Sequence, residues 1–553
     1  MNIKTNELRT DVLVIGGGTA GCLAAMAAKQ KGCDVTLVEK GGSIRHSGSL
    51  ATGVDHYSAI LGEGPWDTPE AFVNKFASTR PGITDLKVVS TYAKEARKIF
   101  GFLEEIGVNF KDAKTGKYYR IAGLGGRDPH TICFEGGRIK DVFSAYLGKL
   151  QVRLLERLAV EGLLISSGRV TGAVGFHIRT GDFYIIRAKS VVLGTGGATR
   201  LFPSPTGRDF FTHAPPFNTG DGHVIALRAG ADLTNMEFTF CSVSPRGSDS
   251  PAITGFIGMG ATFVNARGER FMEKSHPLGD HAPRTAIVNN ILKECAEGRG
   301  PCFVDCRHLG EEAIGRITKG ILNERPTLMD FLKHKDLDMT RDLIPYELRE
   351  METQGQGIKV DENCCSTVEG LFAAGDCTNV GLAVSGACTL GYVAGEKAVK
   401  HAAAIKDFDD DLQQVNKLRD TIYYPITNPG NIRPIDVEDE MRRIMSTWVG
   451  FNRNADGLKT AIKALKGLKD NSRAMMARSF HELMRANETR NLIDVAIVIA
   501  TAALERKESR SLPAHSRTDY PRQDDEHWKG YIIVNRGDGE ELKLSYQPLK
   551  TAN

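Results

Sequence analysis

The chain of 553 residues has 41% hydrophobic residues, 25% charged residues and a formal net charge of +3. This composition is ordinary for a soluble globular protein of about two to four domains, and it gives no support for a nucleic-acid-binding surface. The segment MNIKTNELRT lacks the apolar core of a signal peptide, and the most apolar helical segment, LIDVAIVIATAAL, is too short to cross a bilayer. We therefore expect a cytoplasmic protein without a membrane span of its own.

The spacing of the cysteines argues against the common metal centres. Eleven cysteines are scattered along the chain and none forms a C-x-x-C pair. The sequence therefore encodes neither a zinc ribbon nor a ferredoxin-type iron–sulfur cluster, and we predict no metal site. An odd number of cysteines without a disulfide framework is typical of a reducing compartment.

The first informative segment is DVLVIGGGTAGCLAAMAAKQKGCDVTLVEK, from Asp11 to Lys40. Its apolar start predicts a buried parallel strand, after which Gly16, Gly18 and Gly21 follow at the G-x-G-x-x-G spacing. The first glycine permits a tight turn, the second lets a pyrophosphate approach the backbone, and the third lets the helix pack on the strand. The segment therefore predicts a dinucleotide site at the start of a helix.

The second strand of this unit, CDVTLVE, ends at Glu39. An acidic residue about 20 positions after the glycines suits a ribose 2′-hydroxyl and repels a 2′-phosphate, which disfavours NADP. The pattern alone leaves NAD and FAD open.

Two later segments favour FAD. The segment AKSVVLGTGGATR ends an apolar strand at Thr195, Gly196 and Gly197, and TVEGLFAAGDCTN ends another at Gly375 and Asp376. With the N-terminal unit they form the three-part signature of FAD-dependent oxidoreductases. The chain resembles the fumarate reductase, succinate dehydrogenase and L-aspartate oxidase flavoprotein family over nearly its whole length.

The resemblance implies a non-covalently bound FAD that contacts backbone and small polar side chains from several segments. In the family the second segment crosses near the flavin, and the Gly-Asp of the third meets the ribityl-phosphate part of FAD. The expected contacts are Gly16, Gly18, Thr19, Ala20, Gly21, Glu39, Lys40, Ser47, Gly48, Ser49, Thr52, Gly53, Thr195, Gly196, Gly197, Asp221, Gly375, Asp376, Ser385, Gly386 and Ala387.

The resemblance also implies the fold class, which is α/β. A doubly wound, Rossmann-like FAD-binding domain would use residues 1–235 and 356–405, with an α+β capping domain inserted at 236–355. Apolar residues at three- and four-residue spacing predict a helical bundle at 406–515. The polar tail, 516–553, contains one predicted strand, GYIIV, and would wrap the surface or meet a partner.

Departures from the family bear on the substrate. Fumarate and succinate enzymes clamp a dicarboxylate with two histidines and an arginine, and protonate it with another arginine that a Glu-Arg relay serves. Arg284 in HAPRTAIV matches the proton donor, but Thr254 and Ile257 stand where the relay should be. The clamp histidines are absent, and the loop CTNVGLAVSGACTLGYVAG contains no arginine. We therefore expect that fumarate is not the substrate.

A second resemblance is to the α subunit of adenylylsulfate reductase, in RHSGSLATGVDHY, VSGACTLGYVAGEK and DYPRQDDEHW. Ser47 falls where membrane fumarate reductases carry the histidine that bonds covalently to FAD, although flavinylation of the adjacent His46 stays open. Ser58 falls near a position where adenylylsulfate reductase has a substrate-contacting asparagine. The pattern is typical of a relative with a changed substrate.

The segment EKSHPLGDHAPR offers candidate chemistry in the capping domain. His276, His281 and Arg284 stand close together in it and are predicted to bind an anion and donate a proton. The opposite interpretation, a loop whose charges face solvent, also stays open. Neighbouring apolar residues are expected to make the wall suit an enoate or a thioester; they are Phe240, Phe256, Ile257 and Met259.

The predicted function is two-electron exchange between the flavin N5 and a small substrate, which is an enoate, a thioester or a sulfur-oxyanion compound. Because the chain lacks cluster ligands, we expect a separate iron–sulfur subunit and therefore a hetero-oligomer, with a homo-oligomer also open. Two alternatives remain: a stand-alone flavin reductase or oxidase, and an electron-relay subunit of a larger redox complex.

Overall fold

A mixed β-sheet forms the central layer of the chain. Its strands are β1 (Thr5–Ile15), β2 (Val35–Glu39), β6 (Arg153–Glu156), β7 (Leu158–Ser166), β8 (Arg169–His177), β9 (Phe183–Leu193) and β16 (Leu371–Ala373). They are ordered β6–β2–β1–β9–β8–β7, and β16 pairs with β9. The pairs among β6, β2, β1, β9 and β16 are parallel, whereas β8 pairs antiparallel with both β7 and β9. The computed structural model describes residues 3–80, 82–134, 138–204, 214–248, 252–322, 326–348, 351–409, 412–428, 430–537, 539 and 541–549.

Helices cover this sheet and line its carboxyl edge. They are α1 (Thr19–Gln30), α2 (Pro69–Thr79), α3 (Leu86–Glu105), α4 (Ile139–Lys149), α5 (Asp221–Arg228) and α11 (Ala383–Ala402). Glycines let α1 and α11 pack very closely, since a Cβ at Gly391 would lie 2.4 Å from the Ala20 carbonyl oxygen and one at Gly395 would lie 2.3 Å from that of Ala24. This arrangement is the doubly wound layer that the sequence predicts.

Two smaller sheets flank the central one. β3 (His56–Ser58), β4 (Tyr119–Ile121) and β5 (Thr131–Cys133) form an antiparallel sheet in the order β3–β5–β4. Within 236–355, β11 (Val243–Pro245), β12 (Thr262–Val264), β13 (Cys302–Asp305) and β14 (Ile344–Leu348) form another in the order β11–β14–β13–β12. Helices surround this second sheet: α6 (Ile253–Gly258), α7 (Phe271–Ser275), α8 (Arg284–Ala296), α9 (Glu311–Arg316) and α10 (Pro326–His334).

The segment 406–515 is helical, as predicted. It contains α12 (Leu412–Thr427), α13 (Pro434–Trp448), α14 (Ala455–Asn471) and α15 (Phe480–Glu505). α15 includes the apolar segment LIDVAIVIATAAL and is buried along most of its length. Among the helices of the described residues, none is long and apolar enough to cross a membrane.

The tail has more structure than the sequence predicts. After α16 (Asp525–Trp528), the predicted strand is present as β17 (Gly530–Arg536), and a second strand follows as β18 (Leu542–Pro548). With β10 (Leu233–Thr234) and β15 (Gly357–Ile358) they form a sheet in the order β15–β10–β17–β18. The tail therefore pairs with strands at the junction of 1–235 and 236–355.

A buried arginine holds this junction. Arg506 is fully buried, and its Nε donates to Glu237 Oε1 at 2.6 Å while its Nη1 donates to Glu508 Oε1 at 2.8 Å. Its Nη2 donates to the Gly530 carbonyl oxygen at the start of β17. Because Glu237 is also fully buried, the pair fixes the segment that leads into Phe240.

Replacing Arg506 with methionine should destabilise the protein strongly. It would leave Glu237 and Glu508 as buried carboxylates without this partner, at a cost of about 3–5 kcal/mol. Thermal unfolding followed by circular dichroism should show a clearly lower melting temperature. The control is Arg433→Met, whose pair with Asp436 is exposed and contributes less than about 1 kcal/mol. Equal melting temperatures for the two variants would contradict this account.

Candidate functional site

A cavity of about 380 Å³ opens at the carboxyl ends of β1, β2, β9 and β16. We call it the first cavity. Many of the residues predicted to contact FAD line it: Gly16, Gly18, Thr19, Ala20, Glu39, Lys40, Ser47, Gly48, Ser49, Gly53, Thr195, Gly196, Asp221, Gly375, Asp376 and Ala387. Strands from four separate segments therefore bring these residues together at the edge where open α/β sheets bind ligands.

The turn between β1 and α1 shows why glycine is needed there. Gly16 has φ +102°, and a Cβ on it would lie 2.5 Å from the Gly194 carbonyl oxygen. A Cβ on Gly21 would lie 1.8 Å from the Gly16 carbonyl oxygen, so Gly21 packs the helix on the turn and does not line the cavity. Gly18 differs, because a Cβ there would meet nothing closer than 3.7 Å and would instead occupy the cavity mouth at the start of α1.

Glu39, at the end of β2, holds the turn between β1 and α1 through its carboxylate. Its Oε2 accepts from the Gly17 amide at 2.7 Å and from the Ser47 hydroxyl at 2.6 Å. The buried carboxylate therefore holds α1 and the segment after β2 in one arrangement, and it lines the cavity where the sequence predicts a ribose contact.

Lys40 connects the first cavity to the helical segment. Its Nζ donates to Asp221 Oδ2 at 2.7 Å and to Glu488 Oε1 at 2.9 Å. Lys40 and the other cations around it hold the pKa of Glu488 down at about 2, although burial opposes them. The two carboxylates thus keep Lys40 charged, and its Nζ lies 5.9 Å from the centroid of the Phe217 ring at the cavity.

Four residues that are predicted to contact FAD and that the structure describes do not line the first cavity: Gly21, Gly197, Ser385 and Gly386. A Cβ on Gly197 would lie 1.8 Å from the Thr353 carbonyl oxygen, and one on Gly386 would lie 2.1 Å from the Leu382 side chain, so both are packing positions. The side chain of Thr52 lies outside the described part of the chain. Ser385 accepts from the Tyr92 hydroxyl at 3.1 Å and lines a neighbouring cavity.

That neighbouring cavity, the second cavity, has a volume of about 300 Å³. It shares lining residues with the first, so the two meet; the shared residues are His56, Arg80, Phe240, Thr254, Arg284, Gly381 and Ala383. Basic residues in the lining are Lys75, Arg80, Arg284, His56 and His130. Within the described residues, its lining contains no aspartate or glutamate. The second cavity is therefore suited to an anion.

Two of these basic residues, Lys75 and Arg80, come from α2 and its C-cap, which the sequence analysis did not single out. Phe72, Lys75, Phe76 and Thr79 lie on one helical face, at i, i+3, i+4 and i+7, and all four line the second cavity. The helix begins after Thr68, whose hydroxyl accepts from the Ala71 amide at 3.2 Å, and ends at the C-cap residue Arg80.

Arg80 lies at the meeting point of the two cavities. Its guanidinium is near Gly355 and stacks loosely on Phe76, with Cζ 5.8 Å from the ring centroid. Burial lowers the pKa of Arg80, and the neighbouring carboxylate of Asp376 opposes that shift. The Arg80 side chain lines both cavities. Arg80 therefore offers its donors to the cavities.

Arg284 also lies at this meeting point, as the resemblance implies. Its Nη1 donates to the Ser242 hydroxyl at 2.8 Å, and its Cζ is 5.6 Å from the centroid of the Phe240 ring. Phe240 lines both cavities, as expected for an apolar wall. The wall is smaller than predicted, because Phe256 and Ile257 are buried in the core.

The structure corrects the placement of His276 and His281. Neither residue lines either cavity. His276 follows α7, and its Nδ1 accepts from the Leu278 amide at 3.1 Å, whereas His281 Nδ1 is 3.3 Å from the Gly123 carbonyl oxygen. Of the segment EKSHPLGDHAPR, Pro283 and Arg284 line the second cavity, and Arg284 also lines the first.

Burial lowers the pKa of two basic side chains that line the second cavity. Burial lowers the pKa of His130 to about 4, with a further contribution from Lys75, so His130 is neutral at pH 7. Burial also lowers the pKa of Lys75, and Asp128 opposes that shift. Arginine keeps its proton in such sites, so Arg80 and Arg284 supply the fixed charge.

Comparison with known proteins agrees with this geometry. A family model described as FAD binding domain matches residues 11–391, and one described as fumarate reductase flavoprotein C-term matches residues 438–553. The chain belongs to the fumarate reductase and succinate dehydrogenase flavoprotein family. As a member of this family it is a FAD-dependent oxidoreductase, as the sequence predicts.

Relatives of this flavoprotein cover nearly its whole length. An uncharacterized FAD-dependent oxidoreductase of Methanocaldococcus jannaschii is 28% identical over 550 residues, which is 95% of this chain and 96% of that protein. The CoM/CoB fumarate reductase of Methanothermobacter marburgensis has one subunit that is 28% identical over 561 residues, with 95% and 97% covered. The adenylylsulfate reductase of Archaeoglobus fulgidus matches with a TM-score of 0.89 and 25% identity, covering 100% of this chain and 97% of that one.

The residues present fit FAD. The α1 amides face the first cavity at Gly18, where a side chain would occupy the space for a pyrophosphate. Asp376 and Gln354, which are joined by a 3.1 Å hydrogen bond from Gln354 Nε2, line the same cavity near its junction with the second. When bound, FAD supplies two-electron hydride exchange, while the chain supplies orientation, charge and exclusion of water.

Replacing Gly18 with valine should remove FAD without unfolding the chain. A Cβ at this position would come no closer than 3.7 Å to a protein atom, and the side chain would extend into the space at the start of α1. We expect the flavin content of the purified variant to fall at least about tenfold, because the backbone can no longer approach a pyrophosphate. The control is Gly101→Val on α3, where a Cβ meets nothing within 4 Å. Equal flavin-to-protein absorbance ratios in the two variants would contradict this assignment.

Proposed function

We propose that this flavoprotein exchanges two electrons between FAD and a small anion other than fumarate or succinate, bound in the second cavity. The observation that carries the proposal is the junction of the cavities, where Arg80 and Arg284 line both. An anion held by these guanidinium groups lies beside the first cavity, which fits FAD. Substrate and cofactor would then be neighbours without a further conformational change.

The arrangement of charge supports an anionic substrate. The lining combines Arg80, Arg284 and Lys75 without a carboxylate among the described residues, so the cavity attracts an anion and disfavours a cation. Arginine forms bidentate hydrogen bonds with a carboxylate or a sulfur oxyanion. Phe72, Phe76 and Phe240 supply apolar contact for the rest of the molecule. An enoate and a sulfur oxyanion both fit this combination, and the similarity to an adenylylsulfate reductase supports the second of them.

We also propose that an iron–sulfur subunit completes the electron path. The described residues contain no group of three or more histidine, cysteine, aspartate and glutamate side chains arranged to hold a metal ion. The fumarate reductase relative of Methanothermobacter marburgensis is itself named as a subunit. A partner that carries single electrons would connect the two-electron chemistry of this chain to another redox protein.

The substrate class can be tested with the reduced flavin. The FAD-loaded chain is photoreduced without oxygen and mixed with crotonate, adenylylsulfate, an enoyl thioester or fumarate, and the return of the oxidised-flavin absorbance is followed. We expect reoxidation by crotonate or by the sulfur compound and none by fumarate. Rapid reoxidation by fumarate would contradict the exclusion of that substrate. If none of the four compounds reoxidises the flavin and the chain associates stably with other subunits, an electron-relay subunit would be favoured.

The two arginines should control binding in this assay. Arg80→Ala and Arg284→Ala each remove a charge-assisted contact of about 1.5–3 kcal/mol, so the concentration for half-maximal reoxidation should rise roughly 10- to 150-fold. The control is Arg307→Ala, because Arg307 pairs with Asp305 and lies outside both cavities. Unchanged kinetics in Arg80→Ala and Arg284→Ala would place the anion elsewhere.

A further inference from the structure

A histidine with an aspartate partner lies at the meeting point of the two cavities. His56 begins β3, and β3 pairs antiparallel with β5 so that His56 faces Cys133 in the register. Its ring lines both cavities and is 26% exposed. It is thus the histidine that the fold brings closest to both the cofactor space and the anion space, in place of His276 and His281.

Asp55 fixes the orientation of this ring. Its Oδ1 is 3.0 Å from His56 Nδ1, and its side chain is fully buried. The backbone around Asp55 is also held, because its carbonyl oxygen accepts from the Phe134 amide at 3.1 Å. Its Oδ2 lies against α6, where a Cβ on Gly255 would be only 2.9 Å away. Asp55 therefore has little room to move relative to the ring.

This pairing leaves one ring nitrogen available. A proton on Nδ1 is held by Asp55, so Nε2 is the nitrogen that gains and loses a proton. Among the residues that the structure describes, Nε2 of His56 has no hydrogen-bond partner. A histidine oriented in this way is a natural proton donor or acceptor for a substrate within reach of the exposed nitrogen.

We propose that His56, positioned by Asp55, transfers the substrate proton from Nε2 during the two-electron reaction. The inference rests on the proposed function and identifies the proton donor of that same site. With an enoate, FAD bound in its reduced form would supply the hydride for one alkene carbon, and His56 Nε2 would give its proton to the other, forming the second C–H bond. The C=C π bond and the Nε2–H bond break, FAD ends oxidised, and the neutral imidazole regains a proton from solvent.

The charge on a protonated His56 can also be detected through the affinity for an anion, which does not require turnover. A protonated His56 would add a cation to the anion cavity, so an anion should bind oxidised, FAD-loaded protein more tightly at acidic than at alkaline pH. Other titratable or charged groups face His56 or the two cavities: Glu39, Lys40, His46, Asp55, Lys75, Arg80, His130, Cys133, Asp221, Cys241, Arg284 and Asp376. His130 stays neutral above about pH 4, and burial raises the pKa of Cys133 far above neutrality.

The experiment titrates crotonate, which stays ionised, into the oxidised holoprotein by calorimetry from about pH 5.5 to about pH 8.5, the range in which histidine changes charge. Wild-type protein should bind about three- to tenfold more tightly at the acidic end. His56→Asn should bind at every pH with the alkaline wild-type affinity. Asp55→Asn should lose part of the gain in affinity at the acidic end, because the His56 ring is no longer held at Nδ1 by the Asp55 carboxylate.

Controls separate this inference from the proposed function. His308→Asn, on a ring that contacts the Gly260 carbonyl oxygen outside both cavities, should keep the wild-type pH step. In single-turnover reoxidation by the active compound, His56→Asn should lower the rate at least about 100-fold, in the range typical of a lost general acid. A pH step that persists in His56→Asn would overturn the role of His56 alone. Binding of adenylylsulfate but not of crotonate would overturn this inference for an enoate and leave the anion cavity standing, whereas binding of neither at any pH would overturn both.

Discussion

The site depends on one steric constraint, the close contact between the turn after β1 and the end of β9. Gly16 lies against the Gly194 carbonyl oxygen, and Gly21 lies against Gly16, so side chains at these positions would force the strand, the helix and the neighbouring strand apart. With the contact in place, the carboxyl ends of β1, β2, β9 and β16 surround one cavity and the start of α1 faces into it. Every other element of the site is placed relative to this turn.

Buried charge then decides what the cavities can hold. Asp221 and Glu488 neutralise the charge of Lys40, so the contacts of Lys40 stabilise the wall of the first cavity. The described lining of the second cavity contains no acid, so the charge of Arg80 and Arg284 faces the space beside the cofactor site. The sequence predicts that the family's clamp for dicarboxylates is absent, and the structure has Arg80 and Arg284 at the junction of the two cavities.

The sequence predicted those parts of the fold and site that depend on local backbone geometry. Gly16, Gly18, Glu39, Gly375 and Asp376 are recognisable because glycine and acidic residues have few other uses at the ends of parallel strands. Arg80 and His56 were missed because their roles depend on long-range packing: α2 and the small sheet of β3–β5 have to dock before either residue meets the flavin site. His276 and His281 were predicted because they are near Arg284 in sequence. Nearness in sequence does not decide which side chains line a cavity, and neither histidine lines one here. In the second strand of the tail, β18, the side chains alternate only weakly in burial and most are exposed. The sequence pattern therefore did not predict a strand there.

The most direct test of the central claim is a crystal structure of the FAD-loaded protein soaked with crotonate. This account predicts density for the carboxylate within hydrogen-bond distance of the Arg80 or Arg284 guanidinium, with the alkene carbons between the flavin and His56. Crotonate bound only outside the second cavity, with the flavin in the first cavity and Arg80 facing empty space, would contradict it.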